Sequence, residues 1–291
     1  MSDKRFEMSR LGDAFSDLIK SENAPKMGFY PSVFAQTSLP YQNPQDMTRW
    51  TYVNGNMTLT VTPGQVKDCE EMVNLGIPYG ALPRLIILYL ASEAVKTKSR
   101  EINLGSNITE FLEELGRVPD SRGRKRLIDQ AARLFSSTFQ FTGMKNGILC
   151  GKNMPLVADS QLWMGSKGRT PDLFQARVKL DESFYDEFIA TSMPINLSQL
   201  RGISNKPMAI DIYTWLIRRL GSVNAQDKPL AISWNALKDQ FGQGRAQQRD
   251  FVATFKKDLN AIETVWPKLN VSHSKEFVLI EPSDLPIKQL N

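Results

Sequence analysis

Two hydrophobic periods alternate along the chain. From Tyr79 to Ser99, Leu82, Leu85, Ile86, Tyr89, Leu90 and Val95 recur at helical spacing and predict a helix with a broad apolar surface. A short β-prone piece, Glu101–Leu104, follows. Asn107 with Glu110 three positions on has the form of a capping box. Ile108, Phe111, Leu112 and Leu115 form the inner face of that next helix, and Gly116 suits its C-terminal stop. Ser121–Ser137 predicts a further amphipathic helix, with Leu127, Ala131, Leu134 and Phe135 facing in. Arg122, Arg126, Gln130 and Arg133 face out. Period two then takes over in Thr138–Thr142, Gly147–Leu149, Gln161–Met164 and Leu173–Leu180. In the last, Phe174, Ala176, Val178 and Leu180 point one way and Gln175, Arg177 and Lys179 the other. The loop Gly165–Pro171 between the last two strands is basic and lacks bulky apolar residues. Upstream, Trp50–Thr62 reads as a hairpin around Asn54-Gly55-Asn56, with Met57, Leu59 and Val61 on one side and threonines on the other.

An acidic helix, Asp181–Thr191, ends at Met193-Pro194, and the same order then begins again. Asn205–Leu220 is a helix on Met208, Ile212, Trp215 and Leu216. Pro229–Ile232 is a short strand. Ser233 caps Trp234–Phe241, which Gly242 ends. Arg245–Val265 is a long helix, and Leu269–Ser272 with Phe277–Ile280 makes a terminal hairpin. Each half therefore runs helix, short strand, helix, helix, then strands flanking a small loop. That is the order of a winged helix-turn-helix, in which the third helix enters the major groove and the loop forms the wing.

The first 48 residues fit neither half. Met8, Leu11, Phe15, Leu18 and Ile19 have helical spacing, but Pro25, Pro31, Pro40 and Pro44 break regular structure. This stretch reads as a solvated tail, or as an arm whose one helix contacts a partner. The expected fold class is α+β: two tandem winged helix-turn-helix domains with a poorly ordered N-terminal arm. The arm covers residues 1–48. The first domain, 49–192, is a place for backbone contacts and dimerisation. The second, 193–291, is the main DNA-reading module. The Trp50–Thr62 hairpin either packs on the first domain's own sheet or offers an edge strand for a homodimer.

Composition narrows the function classes. The 291 residues hold 41% hydrophobic and 23% charged residues, ordinary for a soluble globular protein. Cys69 and Cys150 are the only cysteines, so no disulfide framework is available. The longest apolar run, around Leu85–Leu90, is too short to span a membrane, and Met1–Arg10 has no signal-peptide core. The expectation is a cytoplasmic protein with no membrane association. One histidine, His273, excludes zinc fingers and histidine-pair metal nucleases. The nearest match to a phosphate-binding P-loop, Gly147-x3-Gly151-Lys152-Asn153, is one residue short and lacks the hydroxyl. Glu113-Glu114 and Asp186-Glu187 are adjacent pairs that point to different helix faces. The chain is therefore expected to be no enzyme and to need no metal or cofactor.

Charge bears on the fold directly. The net charge is only +5, but residues 195–291 carry 13 Lys+Arg against 9 Asp+Glu, and residues 120–152 carry seven against two. In the second half's third helix, Phe251, Phe255, Leu259 and Ile262 form an apolar stripe. At ~100° per residue, Arg245, Arg249, Lys256, Lys257 and Asn260 fall away from it. Two helices at corresponding places in a repeated order thus pair an apolar stripe with a basic face. Any surface helix has a charged face; the repetition is what points to double-stranded DNA. Arg245 and Arg249 near the helix start, with Gln248 beside them, are the candidates for base readout. Lys256, Lys257, Arg124 and Lys125 are candidates for phosphate, with Arg122, Arg126 and Arg133 serving the first module. Lys167 and Arg169 are wing contacts or a solvated tip, and His273 and Lys275 occupy the second wing. Arg218 and Arg219, near the expected end of their helix, are either helix-dipole partners or phosphate contacts.

The stretch Gly76-Ile-Pro78-Tyr79-Gly80-Ala-Leu-Pro83-Arg84 resembles plasmid-encoded replication initiators of the RepA type. Ser99-Arg100-Glu101, Phe111–Gly116, the Gly123-Arg124 helix start, Phe184-Tyr185 and Pro194-Ile195 are similar too. So are Asp211-Ile-Tyr213, Trp215-Leu216 and Arg218-Arg219-Leu220. The likeness covers roughly residues 76–280. It implies binding to direct repeats (iterons) at a plasmid origin, opening of an A·T-rich segment, and recruitment of the host initiator and replicative helicase. It also implies dimers that repress the initiator's own gene. Two other readings stand beside it. One is a winged-helix repressor acting at an operator. The other is a replication enzyme such as a primase or nicking protein, against which the single histidine argues.

Overall fold

The computed structural model describes residues 26–68, 71–145, 148–161, 176–243, 245 and 247–287. Within them the element order expected from the sequence recurs in both halves. In the first, helix α1 (Ala81–Thr97) leads to strand β6 (Glu101–Asn103), then α2 (Ile108–Glu114) and α3 (Ser121–Ser136). Strands β9 (Val157–Gln161) and β10 (Arg177–Leu180) complete it, in a sheet ordered β6-β10-β9. In the second, α6 (Pro207–Gln226), β12 (Leu230–Ser233), α7 (Trp234–Phe241) and α8 (Gln248–Val265) precede β13 (Val271–His273) and β14 (Phe277–Ile280). Their sheet is ordered β12-β14-β13. In both, the final strand lies in the middle of an antiparallel sheet, between the strand before the helix pair and the strand after it. These are two winged helices of the same topology.

Local chemistry accounts for most helix starts. The Asn107 side chain accepts from the Glu110 N–H at 2.9 Å, and Glu110 reaches back to the Ser106 N–H, one residue earlier than in the expected capping box. Asp120 caps α3, Asp181 caps α4 (Glu182–Thr191), and Ser233 caps α7. Hydrophobic burial follows the predicted stripes: Leu127, Ala131, Leu134 and Phe135 on α3, and Phe251, Phe255, Leu259 and Ile262 on α8.

An additional sheet is inserted between α3 and the first wing strands. The hairpin β7 (Thr138–Lys145) and β8 (Ile148–Pro155) joins β2 (Trp50–Asn54) and β3 (Met57–Thr62) in the order β2-β3-β7-β8. Leu59 faces Phe141 and Val61 faces Phe139 across the β3–β7 register. The Trp50–Thr62 hairpin therefore packs on its own domain's sheet, with β2 at the edge. A separate hairpin, β4 (Gln65–Asp68) and β5 (Glu71–Asn74), had no counterpart in the sequence reading.

Three expectations are corrected. The described part of the N-terminal arm is ordered: strand β1 (Met27–Pro31) pairs antiparallel with β11 (Ser192–Asn196). Phe29, Tyr30, Val33, Phe34 and Leu39 are buried, and the Phe34 ring stacks 6.2 Å from Phe184 and meets Phe139 and Phe141 edge-on. The prolines do break helix, but Pro31 ends a strand that is paired on one side only, where a missing N–H is tolerated. The possible helix at Met8–Ile19 lies outside the described residues. Next, the boundary expected between residues 192 and 193 falls inside packed structure. Strand β11 occupies it, and a short helix α5 (Leu197–Ile203), capped by Asn196, follows at once. Finally, α8 begins at Gln248 rather than Arg245, and α6 runs past Leu220 to Gln226.

One core runs through both halves, and a buried ion pair crosses it. Arg84 on α1 and Asp211 on α6 meet through two parallel bonds, Nε to Oδ1 at 2.6 Å and Nη2 to Oδ2 at 2.8 Å. The remaining donors of Arg84 reach the Gly80 carbonyl at 2.7 Å and the Leu39 carbonyl at 2.7 Å. Ser38 donates to Asp211 at 2.6 Å, and Gln243, in the α7–α8 turn, donates to both Ser38 and the Leu39 carbonyl. Gly80 stands at φ 78°, a backbone state that glycine adopts without strain, and this brings its carbonyl to Arg84. Burial opposes the charge on Arg84, but the attraction and hydrogen bonds of Asp211 outweigh it and hold the guanidinium above its ordinary pKa.

Removing one partner strands the other charge in the core. Asp211→Asn or Arg84→Met should cost ~3–5 kcal/mol, read from urea denaturation. The paired change R84M/D211L should recover part of that loss.

Candidate nucleic-acid interface

The expected basic residues fall into free and committed groups. On α3, Arg122, Lys125 and Arg126 are exposed and Arg124 is half-buried, its guanidinium 3.5 Å from the Thr109 hydroxyl. These four occupy the first two turns. Arg133 differs. It pairs with Asp129 at 2.9 Å, reaches Asn43 and the Ile77 carbonyl, and lies over the Tyr79 ring. Its guanidinium ties α3 to the segment before α1, so Arg133 is a packing residue here. Gln130, expected to face outward, is buried and accepts from the Tyr79 N–H at 2.8 Å.

On the second module, Arg249, Lys257 and Asn260 are exposed on one side of α8. Arg249 is 88% exposed and sits 3.8 Å from Asp250, a contact worth little in water. Arg245 precedes the helix instead of lying on it and donates to the Thr254 hydroxyl at 2.7 Å. That bond fixes the turn between α7 and α8. Gln248 is half-buried, and its amide nitrogen finds no partner among the described residues. Lys256 lies over the Trp234 ring at 5.5 Å. Trp234 in turn donates to the Ser274 carbonyl at 3.2 Å and packs beside His273. One tryptophan thus links the middle of α8 to the wing that carries Lys275, which is exposed. Lys167 and Arg169 lie outside the described residues.

Beneath this surface, Asp258 faces the core side of α8 with Lys206 3.9 Å away. Burial pushes its carboxyl above the ordinary value, and Lys206, Lys257 and Arg245 oppose the shift. Arg218 and Arg219 sit mid-helix because α6 continues to Gln226, which removes the dipole reading. Arg218 donates to Ser32 at 3.1 Å, and Arg219 lies over Trp215.

The fold brings to α3 two further arginines that the sequence pattern does not single out. A cleft of about 460 Å³ opens where the start of α3 faces the end of α5, and it is lined by Arg117, Arg122, Arg126 and Arg201. Arg201 sits on a helix that the hydrophobic pattern did not reveal. Arg117 follows the stop glycine of α2 and has no periodic signal.

A family model described as "Plasmid encoded RepA protein" matches residues 77–236, more than half of the chain. The chain belongs to that family of plasmid replication initiators. Among solved structures it is similar to domain 2 and domain 3 of RctB, as a selenomethionine derivative. That likeness has a TM-score of 0.55 at 11% identity, over 84% of this chain and 94% of that one. A second structure, RctB domains 2-3, has a TM-score of 0.48 at 10% identity, over 86% of this chain and 96% of that one. No curated protein sequence matches the chain. At such identities the structural likeness concerns the fold alone.

The RepA-like stretches prove to be mostly interior. Arg84 and Asp211, in two separate motifs, are the two ends of the buried ion pair. Gly80 supplies a carbonyl to it, and Tyr213 is buried with its ring 5.7 Å from Trp266. No helix among the described residues is long and apolar enough to cross a membrane. Among them no group of three or more metal-ligating side chains is present.

Because Arg133 is engaged on four sides, Arg133→Ala should lower stability by ~1–3 kcal/mol in denaturant titration. It should leave the salt dependence of DNA binding close to that of the parent. A fall in that slope of about one would show that Arg133 contacts phosphate instead.

Proposed function

We propose that the protein initiates plasmid replication by binding tandem direct repeats at the origin as a two-module reader. The observation that carries this reading is the repetition of one winged-helix topology, each copy with exposed basic residues on its third helix, in a chain of the RepA family. Arg249 reads a base near the start of α8, with Gln248 beside it. Lys257 and Asn260, farther along, meet the flanking backbone. Arg122, Arg124, Lys125 and Arg126 hold phosphates at the first module. Lys256 and Lys275, joined through Trp234, place the second wing on the backbone. The two third helices occupy successive major grooves about one turn (~34–36 Å) apart. Bending or untwisting of the repeats then favours opening of the neighbouring A·T-rich segment.

In this reading the protein has no enzymatic centre of its own and works in the cytoplasm. It delivers the opened origin to the host initiator and helicase, and its dimer represses its own gene. The single histidine and the missing P-loop support a non-catalytic role. Supercoiled origin DNA incubated with the protein and magnesium should remain supercoiled; relaxed or covalently linked product would point to a nicking enzyme.

Arg249→Ala should weaken binding to a duplex carrying the direct repeats by ~1–3 kcal/mol and barely affect a random duplex. Equal losses on both would remove the readout role. Protection of an inverted repeat instead of direct repeats would turn the reading into that of a repressor.

A further inference from the structure

The cleft between the two winged helices is strongly cationic for its size. Arg117, Arg122 and Arg126 come from the first half, and Arg201 from α5 of the second. None of the four is ion-paired among the described residues. Asp120 is the one carboxylate in the lining, its Oδ1 accepting from the Gly123 N–H, so three positive charges there stay unbalanced. Four guanidiniums facing one space repel one another unless an anion joins them.

The arrangement is built by backbone chemistry. Gly116 stands at φ 69°, and a Cβ placed there would lie 2.7 Å from Arg201 Cγ. The absent side chain lets Arg201 cross from the second half onto the α2–α3 turn. The Gly116 and Arg117 N–H groups donate to the Glu113 and Leu112 carbonyls, which fixes the direction in which the chain carries Arg117 away from α2. Gly202 next to Arg201 packs against Val265, the last residue of α8. The cleft thus lies between the start of α3 and α5, and α5 in turn packs on the end of α8.

We propose that this cleft holds the sugar-phosphate backbone of duplex DNA where the strand passes between the two modules. The proposal rests on the DNA-binding reading above and adds Arg117 and Arg201 to it. Guanidinium forks match phosphate oxygens in pairs. The lining has no aromatic ring on which a base could stack. Two of the four arginines already stand on the exposed face of α3 beside Lys125. The ligand is therefore a phosphodiester and not a base or a free nucleoside.

The test is fluorescence anisotropy of the full chain on a random-sequence duplex between ~50 and 200 mM KCl, since binding to phosphate needs no specific sequence. R117Q/R201Q should flatten the slope of log K against log salt by about 1.8, at ~0.9 for each phosphate that is no longer neutralised. Lys228→Gln, an exposed change outside the cleft, should keep the parent slope. Circular dichroism checks folding, and R201Q alone, at an exposed position, should flatten the slope by about 0.9 if the double variant does not fold. An unchanged slope in a folded variant, with the parent still binding duplex, overturns the cleft assignment and leaves the DNA-binding reading intact. A parent that binds no duplex overturns both. ATP titrated into the same assay should compete only as simple salt. Micromolar competition that R201Q abolishes would assign the cleft to a free nucleotide and overturn the proposal.

Discussion

The arrangement of this molecule depends on the ion pair between Arg84 and Asp211. Both side chains are almost wholly buried, and each sits on the first helix of a different winged helix. A buried pair of this kind repays its desolvation only when every donor and acceptor is used. Here Gly80, Leu39 and Ser38 take the remaining bonds, and Gln243 joins from the turn before α8. The pair therefore contributes direction more than net stability. It allows one relative placement of α1 and α6 and ties that placement to the turn that aims α8. Hydrophobic contact alone would tolerate sliding between the same two faces.

Residues 26–43 act as a third partner in that junction. They add a strand to β11, insert Phe34 among the aromatic rings of the first half, and bring Ser38 and Leu39 to the ion pair. Trp50 donates to the Ser38 carbonyl and Tyr52 to the Gln240 carbonyl, so the inserted sheet is fastened to the same place. The outcome is two winged helices joined by packed structure instead of a tether. If adjacent turns of a duplex are read as proposed, a fixed spacing lowers the entropy cost of engaging the second module once the first is bound.

The parts legible in the sequence were those set by local chemistry. Asn107, Asp181 and Ser233 mark helix starts through their own side chains, and the stripes of α3 and α8 are visible at the helical period. The repeated element order followed from these. The rest depended on tertiary structure. Strand β1 is too short and too rich in interruptions to show a period, and it exists because β11 pairs with it. Helix α5 is short and follows a strand directly, so the change of period is invisible. Arg133 and Arg84 look alike in sequence to the solvent-facing arginines; only Asp129 and Tyr79 beside the one, and Asp211 beside the other, engage them, and Arg84 alone lies fully in the core. Arg117 and Arg201 gain meaning only when two halves of the chain meet.

On the proposed function, two winged helices joined in this way read one stretch of origin DNA as a unit. Guanine methylation protection on a duplex carrying the direct repeats would record this arrangement. Two protected major-groove patches one helical turn, about 10 bp, apart are expected. Inserting half a turn between them should abolish protection of one patch and weaken binding sharply. A single patch, or two patches whose protection is indifferent to the insertion, would contradict it.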